Sequence, residues 1–138
     1  MAACPSRAGL FITAPQRMEA LSGSCLQIPC NFRPRLGLNL DGISPIGLWT
    51  KYPRNVVFNS RKAVNKYPMS LTGDLGQKNC TTLFSSLITS YAGRYFFRFE
   101  NTGFKATAVC DPLQITVTGK TLFFFISLRK KEDDTVCF

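Results

Sequence analysis

Ala92-Gly93-Arg94-Tyr95-Phe96-Phe97-Arg98 is the stretch on which the fold turns. Side chains alternate faces along a β-strand, so if Tyr95 and Phe97 point into a core, Arg94, Phe96 and Arg98 point out of it. Working outward, runs at 9–13, 24–32, 46–51, 56–59, 68–72, 79–87, 93–100 and 104–117 are short and rich in β-branched or aromatic residues. Gly, Pro and Asn separate them, as in Pro53-Arg54-Asn55, Thr72-Gly73-Asp74 and Asn101-Thr102-Gly103. No segment carries a convincing helical period. Regular short strands of this kind predict an all-β sandwich.

The stretch also fixes which sandwich. Immunoglobulin domains place a Cys on strand B, a Trp on strand C, and a Tyr two residues before a second Cys on strand F. Cys30 closes Cys25-Leu26-Gln27-Ile28-Pro29-Cys30, Trp49 follows in Gly47-Leu48-Trp49, and Tyr95 supplies the third mark. Trp49, Tyr95 and Phe97 are therefore expected in the core. The fourth mark is missing, because Phe97 stands where the second Cys belongs. Cys80, in Asn79-Cys80-Thr81, is the best candidate partner for Cys30. It falls where strand E should be, beside strand B in the same sheet, which would make the bridge intra-sheet and leave the space between sheets to Phe97. The fold expected is an immunoglobulin V-set β-sandwich of two antiparallel sheets with Greek-key connections.

The composition narrows the chemistry. The 138 residues suit one domain with short extensions. Residues 1–9 read as an N-terminal extension, 10–118 as the domain, and 119–138 as an irregular tail. Seventeen Lys plus Arg against eight Asp plus Glu give +9, which favours anionic partners. Neither a helix-turn-helix nor zinc spacing accompanies that charge, so no nucleic-acid partner is expected. The chain has no His, so histidine-based catalysis and metal binding are excluded. Without a nucleophile and base or convergent carboxylates, no catalytic residue, enzyme activity, cofactor or metal is expected. Six Cys without paired C-x-x-C spacing point to disulfides and an oxidising, extracellular compartment. The longest apolar run, 122–128, is too short to cross a bilayer, and residues 1–14 match a secretory signal poorly. Membrane association is expected only through missing parts of a larger type I receptor.

Gly93-Arg94-Tyr95-Phe96-Phe97-Arg98, together with Cys25-x-x-x-x-Cys30 on strand B and Cys80 on strand E, resembles the Siglecs, the sialic-acid-binding immunoglobulin-like lectins. The likeness spans about residues 11–117. It implies that Arg98 grips a sialic acid carboxylate by a two-point, charge-assisted pair that lysine would not reproduce. It further implies that Phe104 is a strand-G aromatic at the sugar, and that the backbone of Ala106, Thr107 and Ala108 meets its N-acetyl and glycerol groups. Cys25 matches the cysteine that bridges to a following domain, so in this chain it is expected unpaired or joined to Cys110. Cys4 and Cys137 are expected to have no structural role. Where the family usually has a strand-A tryptophan, this segment offers only Leu10 and Phe11. The partners implied are sialylated glycoproteins or glycolipids, met at the outer face of the plasma membrane in adhesion or recognition.

Plainer readings stand beside these. Arg98 in a surface ion pair would contribute under about 1 kcal/mol, and Phe104 could simply pack on its hairpin. Arg61 reads as structural. Asn79-Cys80-Thr81 fits the N-glycosylation pattern. A V-set module docking a protein through the same sheet, and an inactive receptor fragment, are the rival functions.

Overall fold

The structure is a computed structural model that describes residues 4, 8–35, 44–119 and 137. Among the described residues, eleven strands form two layers. One contains β2 (Arg17–Leu21), β11 (Leu113–Thr118), β9 (Gly93–Glu100), β5 (Ile46–Lys51) and β6 (Asn55–Asn59) in that spatial order, with β10 (Lys105–Thr107) also on β9. The other combines β3 (Leu26–Ile28), β8 (Thr82–Phe84) and β7 (Met69–Leu71) with the pair β1 (Leu10–Thr13) and β4 (Asn31–Pro34). In immunoglobulin terms the sheets are A′GFCC′ and ABED, the V-set arrangement. The parallel pairing of β2 on β11 arises because the first strand changes sheets.

Proline sets where strands break. It has no N–H to give to a ladder. Pro15 separates β1 from β2, and Pro29 divides the run expected over 24–32 into β3 and β4. The run expected over 104–117 is also two strands. Between them the chain folds on itself, with the Val109 amide donating to Thr107 and the Asp111 amide to Ala108. The Asp111 carboxylate then accepts the Ile12 amide at 2.9 Å, fastening this loop to β1.

The interior is aromatic. Phe97 is fully buried, with ring centroids 5.3 Å from Trp49 and 5.5 Å from Phe32. Trp49, also fully buried, donates its indole N–H to the Thr82 hydroxyl at 2.9 Å, so its one polar atom is satisfied. Tyr95 donates its phenol O–H to the Tyr91 carbonyl, the tyrosine corner. Burial, followed by the neighbouring Tyr67 and Tyr91, pushes the Tyr95 phenol far above its usual range.

Cys30 is bonded to Cys80 with Cα atoms 4.8 Å apart, joining the strand-B and strand-E neighbours within one sheet. The other cysteines depart from expectation. Cys25, expected unpaired or joined to Cys110, is bonded to Cys137, and Cys4 is bonded to Cys110. Their Cα separations of 4.6 and 5.3 Å lie within disulfide reach. Chain ends given no structural role are thus tied to the sandwich at Cys4 and Cys137. The remainder of the expected tail, 120–136 and 138, lies outside the described residues, as do 1–3 and 5–7 of the expected extension.

Candidate functional site

Along β9 burial alternates strictly: Tyr95, Phe97 and Phe99 are buried, and Arg94, Phe96, Arg98 and Glu100 face outward. Arg98 therefore stands on the open face, its side chain 31% exposed. It is not idle there. Its Nε donates to Glu100 Oε2 at 2.8 Å and its Nη1 to the Thr107 hydroxyl at 3.0 Å. Glu100, at 24% exposure, is a surface neighbour two residues along the same strand and not a buried counter-ion. The plain ion-pair reading thus has its partner in place. An exposed pair of this kind is worth under about 1 kcal/mol, little enough for an incoming carboxylate to displace.

Arg98 forms one side of a shallow hollow of about 430 Å³, shared with Phe104, Ala106 and Thr107 and with Ala8 and Gly9 opposite. Thr107 is there because β10 sets it against Arg98 in register, and Ala106 against Phe99. Phe104 does two things at once. It lines the hollow while packing against the core edge, 6.4 Å from the Phe99 ring. Ala108 is not with them: it is fully buried and its amide is spent on the Phe97 carbonyl at 2.9 Å, because the chain has turned inward at the end of β10.

The strand-A side differs from the sequence expectation. Leu10 is fully buried in the core, and Phe11 lies under the Arg33 guanidinium at 4.6 Å, away from the hollow. The wall is supplied one turn of the pleat earlier, by Ala8 and Gly9. A Cβ on Gly9 would come within 3.2 Å of Ala106 Cβ, so the absent side chain is what lets the two segments approach. Nothing in the composition of 8–9 signals this. Glu100, also missed, was legible: alternation puts any residue two from Arg98 on its face.

The other singled-out residues lie apart. Asn79 is half-buried with its side-chain oxygen accepting the Thr81 amide at 2.9 Å. Arg61 donates to the Ser44 carbonyl at 3.1 Å, a loop-bracing contact.

No protein-family profile matches the chain. Curated relatives do. It is 36% identical over 103 residues to myelin-associated glycoprotein of Rattus norvegicus, a match covering 65% of this chain and 16% of that protein. Schwann cell myelin protein of Coturnix japonica is 32% identical over 114 residues, 75% of this chain and 18% of the relative. Sialic acid-binding Ig-like lectin 9 of Homo sapiens is 29% identical over 122 residues, 80% of this chain and 26% of that protein. The chain thus spans about a sixth of the length of the first of these relatives. Sandwich topology, the strand-B to strand-E bridge and these likenesses agree: the chain is a Siglec-like V-set immunoglobulin domain.

Proposed function

We propose that the chain binds terminal sialic acid on glycoproteins or glycolipids, as the recognition domain of a larger cell-surface receptor serving adhesion. The observation that carries this reading is the Arg98 guanidinium, outward on β9 at the mouth of a hollow walled by Phe104 and β10. In the bound state the sugar carboxylate takes over from Glu100 on the Arg98 fork, a two-point contact that a planar guanidinium makes best. Phe104 and the β10 backbone at Ala106 and Thr107 border the rest of the ring. The part played by Ala108 is then indirect, through holding the end of β10. No bond is broken, so the domain acts by binding and not as an enzyme. Residues 10–118 constitute the binding unit, Asn79 is a glycan acceptor, and one shallow site gains useful strength only through many copies.

The test is binding of the purified chain to cells or an array bearing sialylated glycans, before and after sialidase. Loss of binding on sialidase treatment, and its loss in Arg98→Ala with an unchanged melting temperature, is expected. Equal binding to treated and untreated targets would end this reading in favour of a protein partner. That second reading has support in Tyr52 and Val56, 61% and 50% exposed beside the β5–β6 turn of the same sheet.

A further inference from the structure

A second cationic place occurs on the same sheet, away from Arg98. Gln114 on β11 is in register with Arg17 of β2 on one side and with Arg94 of β9 on the other. Neighbouring strands lie about 4.8 Å apart, so the two arginine Cα atoms flank Gln114 at roughly 10 Å from one another. All three belong to a cleft of about 640 Å³, inside the range of about 300–1,000 Å³ typical of ligand sites.

The walls of that cleft are built by chain breaks. Ala14-Pro15-Gln16, where the first strand changes sheets, makes one, and Cys110-Asp111-Pro112 makes the other. The Asp111–Ile12 hydrogen bond, the Cys4–Cys110 bridge and two prolines hold them. Asp111 contributes one carboxylate, already accepting an amide, against two guanidiniums. Both arginines are exposed, and among the described residues the one ion pair is Arg98–Glu100, so neither guanidinium is held in a close ion pair. Arg94 lies over the Tyr52 ring at 5.4 Å, which extends the row by one exposed aromatic face.

We infer that this cleft binds a sulfated saccharide, with Arg17 and Arg94 each holding a sulfate oxyanion and Gln114 between them bonding to the sugar. Two guanidinium forks about 10 Å apart suit oxyanions carried on one ligand. The side-chain amides of Gln16 and Gln114 in the cleft, and the Tyr52 ring beside it under Arg94, suit a pyranose, which has hydroxyls at its rim and apolar C–H faces; a bare phosphate would have no use for them. Arg94 and Arg98 are four residues apart on β9, about 13 Å, so this site is separate from the one at Arg98 and does not depend on what Arg98 binds.

A heparin-derived tetrasaccharide titrated into the 15N-labelled full chain at physiological salt tests the assignment. Saturable shifts confined to β2, β11, the start of β9, the walls at 14–16 and 110–112, and Tyr52 are expected. Affinity should fall at least tenfold in Arg17→Ser/Arg94→Ser, partly in the Lys/Lys double variant, and less than twofold in Arg98→Ala. The inference is overturned if the tetrasaccharide does not bind. It is equally overturned if the double serine variant, shown folded by its spectrum, binds within twofold of the parent. A charge-matched Lys62→Ser/Lys66→Ser variant losing as much would reduce the effect to net charge. Inorganic sulfate competing at the same concentration as the tetrasaccharide would remove the sugar from the proposal.

Discussion

At the scale of single residues, Arg98 and Glu100 illustrate how one period of two produces both a site and its competitor. Outward alternation puts the guanidinium on the open face and, two residues on, supplies the carboxylate that occupies it. Glu100→Gln removes the competing charge. Sialoglycan affinity should then rise, by up to about fivefold if the pair is worth the ~1 kcal/mol upper value for exposed pairs. Calorimetric or surface-based titration reads this directly, and a fall would instead make Glu100 the residue that positions Arg98. Tyr95 lends itself to a pH experiment. Its phenol, raised chiefly by burial, holds its proton in the folded chain where the unfolded chain would ionise. The folded state therefore binds more protons at alkaline pH, so this contribution is intact below about pH 10, the unfolded value, and declines as pH climbs above it. Tyr95→Phe should flatten that alkaline limb of the stability curve while costing about 1 kcal/mol near neutrality for the lost corner hydrogen bond.

At the scale of elements, some strands announce themselves and one does not. Gly93–Glu100 and Ile46–Lys51 are legible because aromatic and apolar residues mark their buried faces. Arg17–Leu21, which the sequence reading omitted, has the sequence Arg-Met-Glu-Ala-Leu, all good helix formers without a β-branched residue. It is a strand because β11 offers it a ladder, a tertiary effect overriding local preference. Turn geometry is similarly enforced from outside at Gly73. A Cβ there would sit 2.6 Å from the Asn79 carbonyl oxygen, a backbone atom that cannot swing aside. Gly73→Ala should therefore destabilise the chain by about 1–3 kcal/mol, as overpacking does, and a urea titration measures it. The site follows the same division. Arg98, Phe104 and Thr107 are readable from strand pattern and likeness, whereas Ala8 and Gly9 join only because the chain ahead of β1 is laid against β10.

At the scale of the whole molecule, the Cys30–Cys80 bridge closes a loop of 50 residues within one sheet. Constraining a loop that long in the unfolded chain is worth about 4 kcal/mol by chain entropy. Cys30→Ala/Cys80→Ala should lose stability of that order in chemical denaturation while leaving Phe97 between the sheets. The sequence by itself determined the sandwich, the strand-B to strand-E bridge, the aromatic interior and the outward arginine, because a period of two and the Cys-Trp-Tyr spacing are local facts that survive any arrangement of loops. Tertiary structure alone decided the partners of Cys4, Cys25, Cys110 and Cys137, the Ala8–Gly9 wall, and the meeting of Arg17 with Arg94 across Gln114. Each of these joins residues far apart along the chain, and only the order and register of the strands bring them within reach.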